Sequence, residues 1–186
     1  MPDIRQRKRK MSNFLDIPKM GYVIIYKNSG DMFGNLIEKK QIQSGFNFRD
    51  ACYTHSEISG GGKHSINISP PISKLIDITK VHKGRYIRIV RYKNKEYEEG
   101  KRYKVAYFSA TLCNRGYDFG GIAAFIFKWI KHNNRLWFCS EGCAYALRMV
   151  FPNALGKLEN SQIMPAHFLL PEYFEIVYEG IIPDIV

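Results

Sequence analysis

The stretch YTHSEISGGGKHSINISPP, from Tyr53 to Pro71, sets two alternating polar and apolar runs on either side of Gly60, Gly61 and Gly62. Alternation with a period of two belongs to a strand with one face buried. Successive glycines supply the positive φ angles that a tight turn needs. The stretch therefore predicts a β-hairpin. With its turn centred near Gly61, His55 faces Asn67, and directly opposed cross-strand side chains lie within reach of one another. A bulge at the glycines would shift that pairing by one residue.

Outward from the hairpin the signals alternate between strand and helix. GYVIIYKN (Gly21 to Asn28) is a short β-branched and aromatic run bounded by Gly and Asn, which reads as a strand. DMFGNLIEKKQIQSG (Asp31 to Gly45) spaces Phe33, Leu36, Ile37 and Ile42 for one helix face, with Gly45 as a stop. YIRIVRYK (Tyr86 to Lys93) alternates as a strand, and KRYKVAYFSATLC (Lys101 to Cys113) has helical spacing. DFGGIAAFIFKWIKHNN (Asp118 to Asn134) and CSEGCAYALRMVF (Cys139 to Phe151) read as two further helices, the second closed by Pro152. PEYFEIVYEG (Pro171 to Gly180) reads as a last strand. The expected class is α+β, an antiparallel sheet packed against helices. We expect a flexible basic tail over residues 1–18 and a single domain over 19–186.

At 186 residues the chain can bury a real core. No apolar run reaches the roughly 18 residues of a membrane span, since GGIAAFIFKWI is broken by Lys128. The basic N-terminus has no apolar segment behind it, so it is not a secretory signal, and synthesis as a cytoplasmic chain is expected. The net charge is +11, concentrated in RQRKRK (Arg5 to Lys10) and in KVHKGRYIRIVRYKNK (Lys80 to Lys95). Such a surface favours anionic partners, nucleic acid or another anionic polymer, although a solvated basic surface needs no partner at all.

Four cysteines, Cys52, Cys113, Cys139 and Cys143, stand in a chain without an export signal, which favours reduced thiols over disulfides. No CxxC or HxxxH pair is present, so neither a structural zinc nor a cofactor is expected. Cys139 and Cys143 lie one helical turn apart. Cys139 falls in the first turn of its helix, where unpaired N–H groups and the positive end of the dipole stabilise a thiolate. Cys143 falls a turn further in, where those donors are already used, and reads as core. A thiolate nucleophile needs an imidazole, and of the five histidines His55 is the one that opens a strand beside the Gly-rich turn. His64, His82, His132 and His167 read as solvated side chains on the surface.

Taken together, GYVIIYKNSG, YTHSEI, SINISPP, GYDFGGI and FCSEGCAYAL resemble, in order, the motifs of circularly permuted NlpC-type papain-like hydrolases. The nearest branch is the YiiX-type, which includes proteins like lecithin retinol acyltransferase, and the likeness spans Gly21 to Tyr178. This resemblance implies a permuted papain-like fold with the nucleophile at a helix N-terminus. It assigns Cys139 as nucleophile, His55 as base and Asn67 as the polar residue that orients the imidazole. Tyr117 and Ser140 fall at pocket or oxyanion positions. The substrates implied are peptide, lipid or acyl conjugates, cleaved at an amide, ester or thioester bond. Tyr22 stands where the family usually has an acid, and Ser56 and Glu57 replace small or apolar residues after the histidine. Asn67 stands where His or Glu is more frequent and brings no charge. A module of the same fold that binds an anionic polymer without turnover is the competing expectation.

Overall fold

The protein is described from a computed structural model, over residues 14–116 and 137–184. Tyr117, His132, the expected helix at 118–134 and the basic run at 5–10 lie outside the described residues.

In chain order the elements are β1 (Val23–Lys27), α1 (Met32–Gln43), α2 (Phe48–Ala51), β2 (Tyr53–Gly61) and β3 (His64–Asn67). They continue with β4 (Lys74–Asp77), α3 (Ile78–Val81), β5 (Tyr86–Tyr92), α4 (Glu99–Ala110) and α5 (Cys139–Arg148). Two 3-10 turns, Asn160–Gln162 and Pro165–Leu169, lead to β6 (Phe174–Ile181). The strands form one six-stranded sheet in the order β4-β3-β2-β1-β5-β6, with every neighbouring pair antiparallel. The class is α+β, as the alternation of patterns predicts.

The middle of the sheet is covered on both sides, which explains why β1 is apolar throughout rather than alternating. Val23, Ile24, Ile25 and Tyr26 are all buried, and the core gathers them with Ile87 and Ile89 of β5 and Ala144, Ala146 and Leu147 of α5. Helix α5 packs against β2 and α4, so the strand that carries His55 and the helix that carries Cys139 are direct neighbours. That approach is close. A Cβ built on Gly142 would lie 2.2 Å from Ile68 Cδ1, in a small cluster of Ile66, Ile68 and Leu112.

The hairpin register departs from the expected one. Ile58 pairs with Ile66, Ser59 with Ser65 and Gly61 with His64, with an irregularity between Ser59 and Gly61. Gly61 and Gly62 take φ of 95° and 58°, so the turn sits later than a turn centred on Gly61. Carried on by one residue, this register brings Asn67 level with Glu57, and His55 lies beyond the end of β3. The displacement is two residues, not the single step of a simple bulge. Since side chains alternate with a period of two, Asn67 still projects from the same face as His55.

Strand β4 and helix α3 are found where no element was expected. KLID is too short to show alternation, and α3 is one turn, started by Asp77, whose Oδ1 accepts from Thr79 N at 3.1 Å. A buried glutamine ties α1 to the sheet. Gln41 Nε2 donates to the carbonyls of Ala51, at 2.6 Å, and Tyr53, at 2.9 Å, while its Oε1 accepts from Ala166 N at 2.8 Å.

Candidate active site

Cys139 is the first residue of α5 and is buried. The helix start is fixed by Glu141, whose Oε2 accepts from the Phe138 N–H at 3.4 Å and whose charge suits the positive end of the dipole. The sulfur of Cys139 is hydrogen-bonded to the His55 ring and to the backbone N–H groups of Ser56 and Ser140. Burial opposes ionisation of this thiol, but the hydrogen bond and charge of His55, followed by those N–H groups, hold its pKa below the ordinary value. Cys143, one turn on, is fully buried, and its pKa goes the other way, raised chiefly by that burial. The two thiols are chemically opposite.

His55 sits on β2 between Cys139 and a carboxylate. Its Nε2 is 3.1 Å from Oε1 of Glu57, two residues along the strand and therefore on the same face. Burial pulls the imidazole pKa down, but Cys139 and then Glu57 outweigh it and push it up to about 10. A lowered thiol beside a raised imidazole is a thiolate–imidazolium pair.

Glu57 is 0% exposed and is held at both oxygens. Oε1 accepts from Nε2 of His55 and also from Nε2 of His82, at 2.8 Å. Oε2 accepts from the Tyr26 hydroxyl at 2.8 Å and from the Ser65 hydroxyl. Burial would raise its pKa, yet the hydrogen bonds and charge of the two histidines hold the carboxyl far below the usual range. A buried carboxylate survives only when it is paired and hydrogen-bonded this fully.

Two readings from the sequence are corrected by this geometry. Asn67 does not hydrogen-bond His55; Glu57 holds the ring instead, because the register sets Asn67 two residues away and leaves its Oδ1 buried without a hydrogen-bond partner. Ser140 meets the thiolate through its backbone N–H, as a place in the first turn allows, while its hydroxyl donates to the Ile163 carbonyl at 2.6 Å. His82 and His167 are not surface residues. His82 is buried against Glu57, and His167 is buried with Nδ1 accepting from Met164 N at 2.9 Å, whereas His64 is exposed as expected.

Glu57 was legible in principle. A charged residue two positions after the histidine, in an otherwise buried strand, shares its face by the period-two rule. His82 carried no such signal, since it reaches Glu57 from the short connection after α3, 25 residues along the chain.

The donors of His55, Glu57 and His82 all lie within 4.8 Å of one another, a grouping of two imidazoles and a carboxylate that could hold a divalent metal. In this structure their separations of 3.1 and 2.8 Å are hydrogen bonds centred on Glu57 Oε1. The site opens to a cleft of about 250 Å³, lined by Cys139, His55, His82 and Asn67 and, around them, by Asp31, Arg85, Phe33, Ile37 and Pro70. Compared with known proteins, the chain matches no family model and no curated sequence.

Proposed function

We propose that the protein is a cysteine hydrolase or acyltransferase that forms an acyl-enzyme on Cys139. One observation carries this reading: the His55 ring lies between the Cys139 sulfur at a helix N-terminus and the buried Glu57 carboxylate at 3.1 Å. Nucleophile, base and orienting acid are the three parts that covalent acyl transfer needs, in the order it needs them. The histidine strand precedes the cysteine helix in the chain, the order implied by the resemblance to permuted papain-like hydrolases.

In the reaction, the Cys139 thiolate attacks the carbonyl carbon of an amide, ester or thioester. The oxygen that gains charge faces the first turn of α5, whose free N–H groups favour an anion. The tetrahedral intermediate collapses as the His55 imidazolium gives its proton to the departing nitrogen, oxygen or sulfur, leaving an acyl thioester on Cys139. His55, now neutral and held by Glu57, takes a proton from water or another acceptor, which attacks the thioester and releases the acyl group. The sulfur and the imidazole return to their starting charges.

The competing reading, recognition of an anionic polymer or nucleic acid through Arg5 to Lys10 and Lys80 to Lys95, loses part of its support to ion pairs in the second segment. Arg88 pairs with Asp50 at 2.8 Å and Glu179 at 3.2 Å, Arg91 pairs with Glu175, and Lys83 pairs with Asp184 at 2.7 Å. Three of its seven lysines and arginines are met by carboxylates within the fold. The test of the hydrolase reading is iodoacetamide labelling resolved by peptide mass. Cys139 labels faster than Cys52, Cys113 and Cys143 at neutral pH, and His55→Ala slows it. Equal slow labelling at all four thiols overturns the reading.

A further inference from the structure

Arg85 stands on the wall of the cleft that holds Cys139, His55 and Asn67. Its head is fixed in place: Nη2 donates to the Lys27 carbonyl at 2.7 Å, and the guanidinium carbon lies 5.2 Å from the Tyr26 ring centroid. Among the described residues no carboxylate forms an ion pair with it. Asp31 lines the same cleft, but its carboxylate caps α1, accepting from Ser29 Oγ at 2.6 Å and Gly34 N at 2.8 Å. It offsets part of the field of Arg85 without binding it. A fixed guanidinium with donors left over presents a planar fork suited to a carboxylate.

A second observation points into the same cleft. Asn67 is 4% exposed, lines the cleft, and its carboxamide makes no hydrogen bond to a described residue, with Oδ1 buried and unpartnered. The sealed Oδ1 is an acceptor and meets no anion; Nδ2, which makes no hydrogen bond to a described residue, is the edge left to donate to a group in the cleft. Both features are donors, and they ask for an acceptor-rich, negatively charged partner.

We propose that the cleft is a subsite for a carboxylate, so that the acyl donor bears a carboxylate near the bond that is cleaved. Arg85 meets its charge and Asn67 donates to one of its oxygens. A monoanion is the better fit than a phosphate dianion, because Arg85 is the one permanent cation among the described residues of the cleft wall and Asp31 already offsets part of it. The proposal rests on Cys139 being the nucleophile, and it adds what that nucleophile is built to receive.

Two alkylating reagents of nearly equal size test it without knowledge of the natural substrate. Iodoacetate carries the carboxylate and iodoacetamide does not, and the rate of each at Cys139 is followed by peptide mass. The measured quantity is the ratio of the two rates. In the wild-type protein the ratio exceeds that at Cys113 and falls as salt is added, because screening weakens attraction between charges. Arg85→Gln lowers the ratio roughly tenfold, the size expected when one close, partly buried charge pair is removed. Arg85→Lys keeps most of it, and Asn67→Ala lowers it by a smaller factor. An unchanged ratio in Arg85→Gln overturns the subsite. The ratio is read at Cys139 however slowly that thiol reacts. Failure of the nucleophile assignment therefore shows as slow labelling with both reagents, and failure of the subsite as a ratio indifferent to Arg85.

Discussion

His82 donates from Nε2 to Glu57 Oε1 at 2.8 Å, closer than the 3.1 Å contact that His55 makes to the same oxygen. The carboxylate that orients the proposed base is thus shared between two imidazoles. With Tyr26 and Ser65 on its other oxygen, it is a fixed charge at the centre of the site and not a partner private to His55.

The first prediction concerns the reactivity of Cys139 with pH. Its pKa lies below the ordinary thiol value and that of His55 near 10, so the ion pair persists between the two. Iodoacetamide labelling of Cys139 is expected to rise below about pH 8.5, where a free thiol begins to ionise. A second inflection falls near pH 10, where His55 loses its proton. His55→Ala moves the first limb up to the ordinary range. A wild-type limb already at the ordinary value contradicts the ion pair.

Replacing Glu57 separates charge from shape. Glu57→Leu leaves His55, His82, Tyr26 and Ser65 facing an apolar group and costs about 3–5 kcal/mol in urea unfolding, the range for breaking a buried charge network. Glu57→Gln keeps the volume but removes the charge that supports the imidazolium, and slows labelling at neutral pH by about tenfold for each pKa unit lost from the pair. The sign with pH follows from the depressed carboxyl. Its stabilisation is present above the unfolded carboxyl pKa of about 4.3 and is lost as pH falls toward its lower folded value. The stability gap between wild type and Glu57→Gln therefore narrows in acid. A gap that widens in acid rules the assignment out.

Asn67 and Glu57 are expected to give different signatures. Asn67→Ala lowers turnover of an acyl substrate while the labelling limb of Cys139 stays at its wild-type pH, because Asn67 does not touch the imidazole. A shift of that limb comparable with the one from Glu57→Gln would return the orienting role to Asn67.

Gln41 predicts a purely structural loss. Gln41→Leu removes one acceptor and two donors from buried backbone groups of Ala51, Tyr53 and Ala166. Leaving such groups unpaired costs about 1–3 kcal/mol each, so unfolding in urea shifts by at least about 2 kcal/mol. The pH limb of Cys139 is unaffected in the folded fraction, and a variant as stable as wild type contradicts the role.

Gly142→Ala tests how tightly the cysteine helix is seated. The new methyl meets Ile68 Cδ1 at 2.2 Å and Leu112 Cδ1 at 3.1 Å, inside a packed cluster, and overpacking of this kind costs about 1–3 kcal/mol. Thermal unfolding measures it, and an unchanged midpoint means that α5 shifts freely.

The sequence by itself determined the strand and helix periods, the hairpin with its glycine turn, and the asymmetry between Cys139 and Cys143. Each of these depends on neighbours within a turn or a few residues: alternation, helical spacing, and the unpaired N–H groups of a helix start. The tertiary structure decided the pairing register, and with it which polar residue meets His55. A strand register is set by packing against other strands, and a two-residue slip keeps every side chain on its face, so the hydrophobic pattern does not distinguish the two alignments. The same holds for His82, Arg85 and the carboxamide of Asn67. They come together only because the chain returns to one cleft from α3, β3 and the start of β5, and no spacing in the sequence encodes that return.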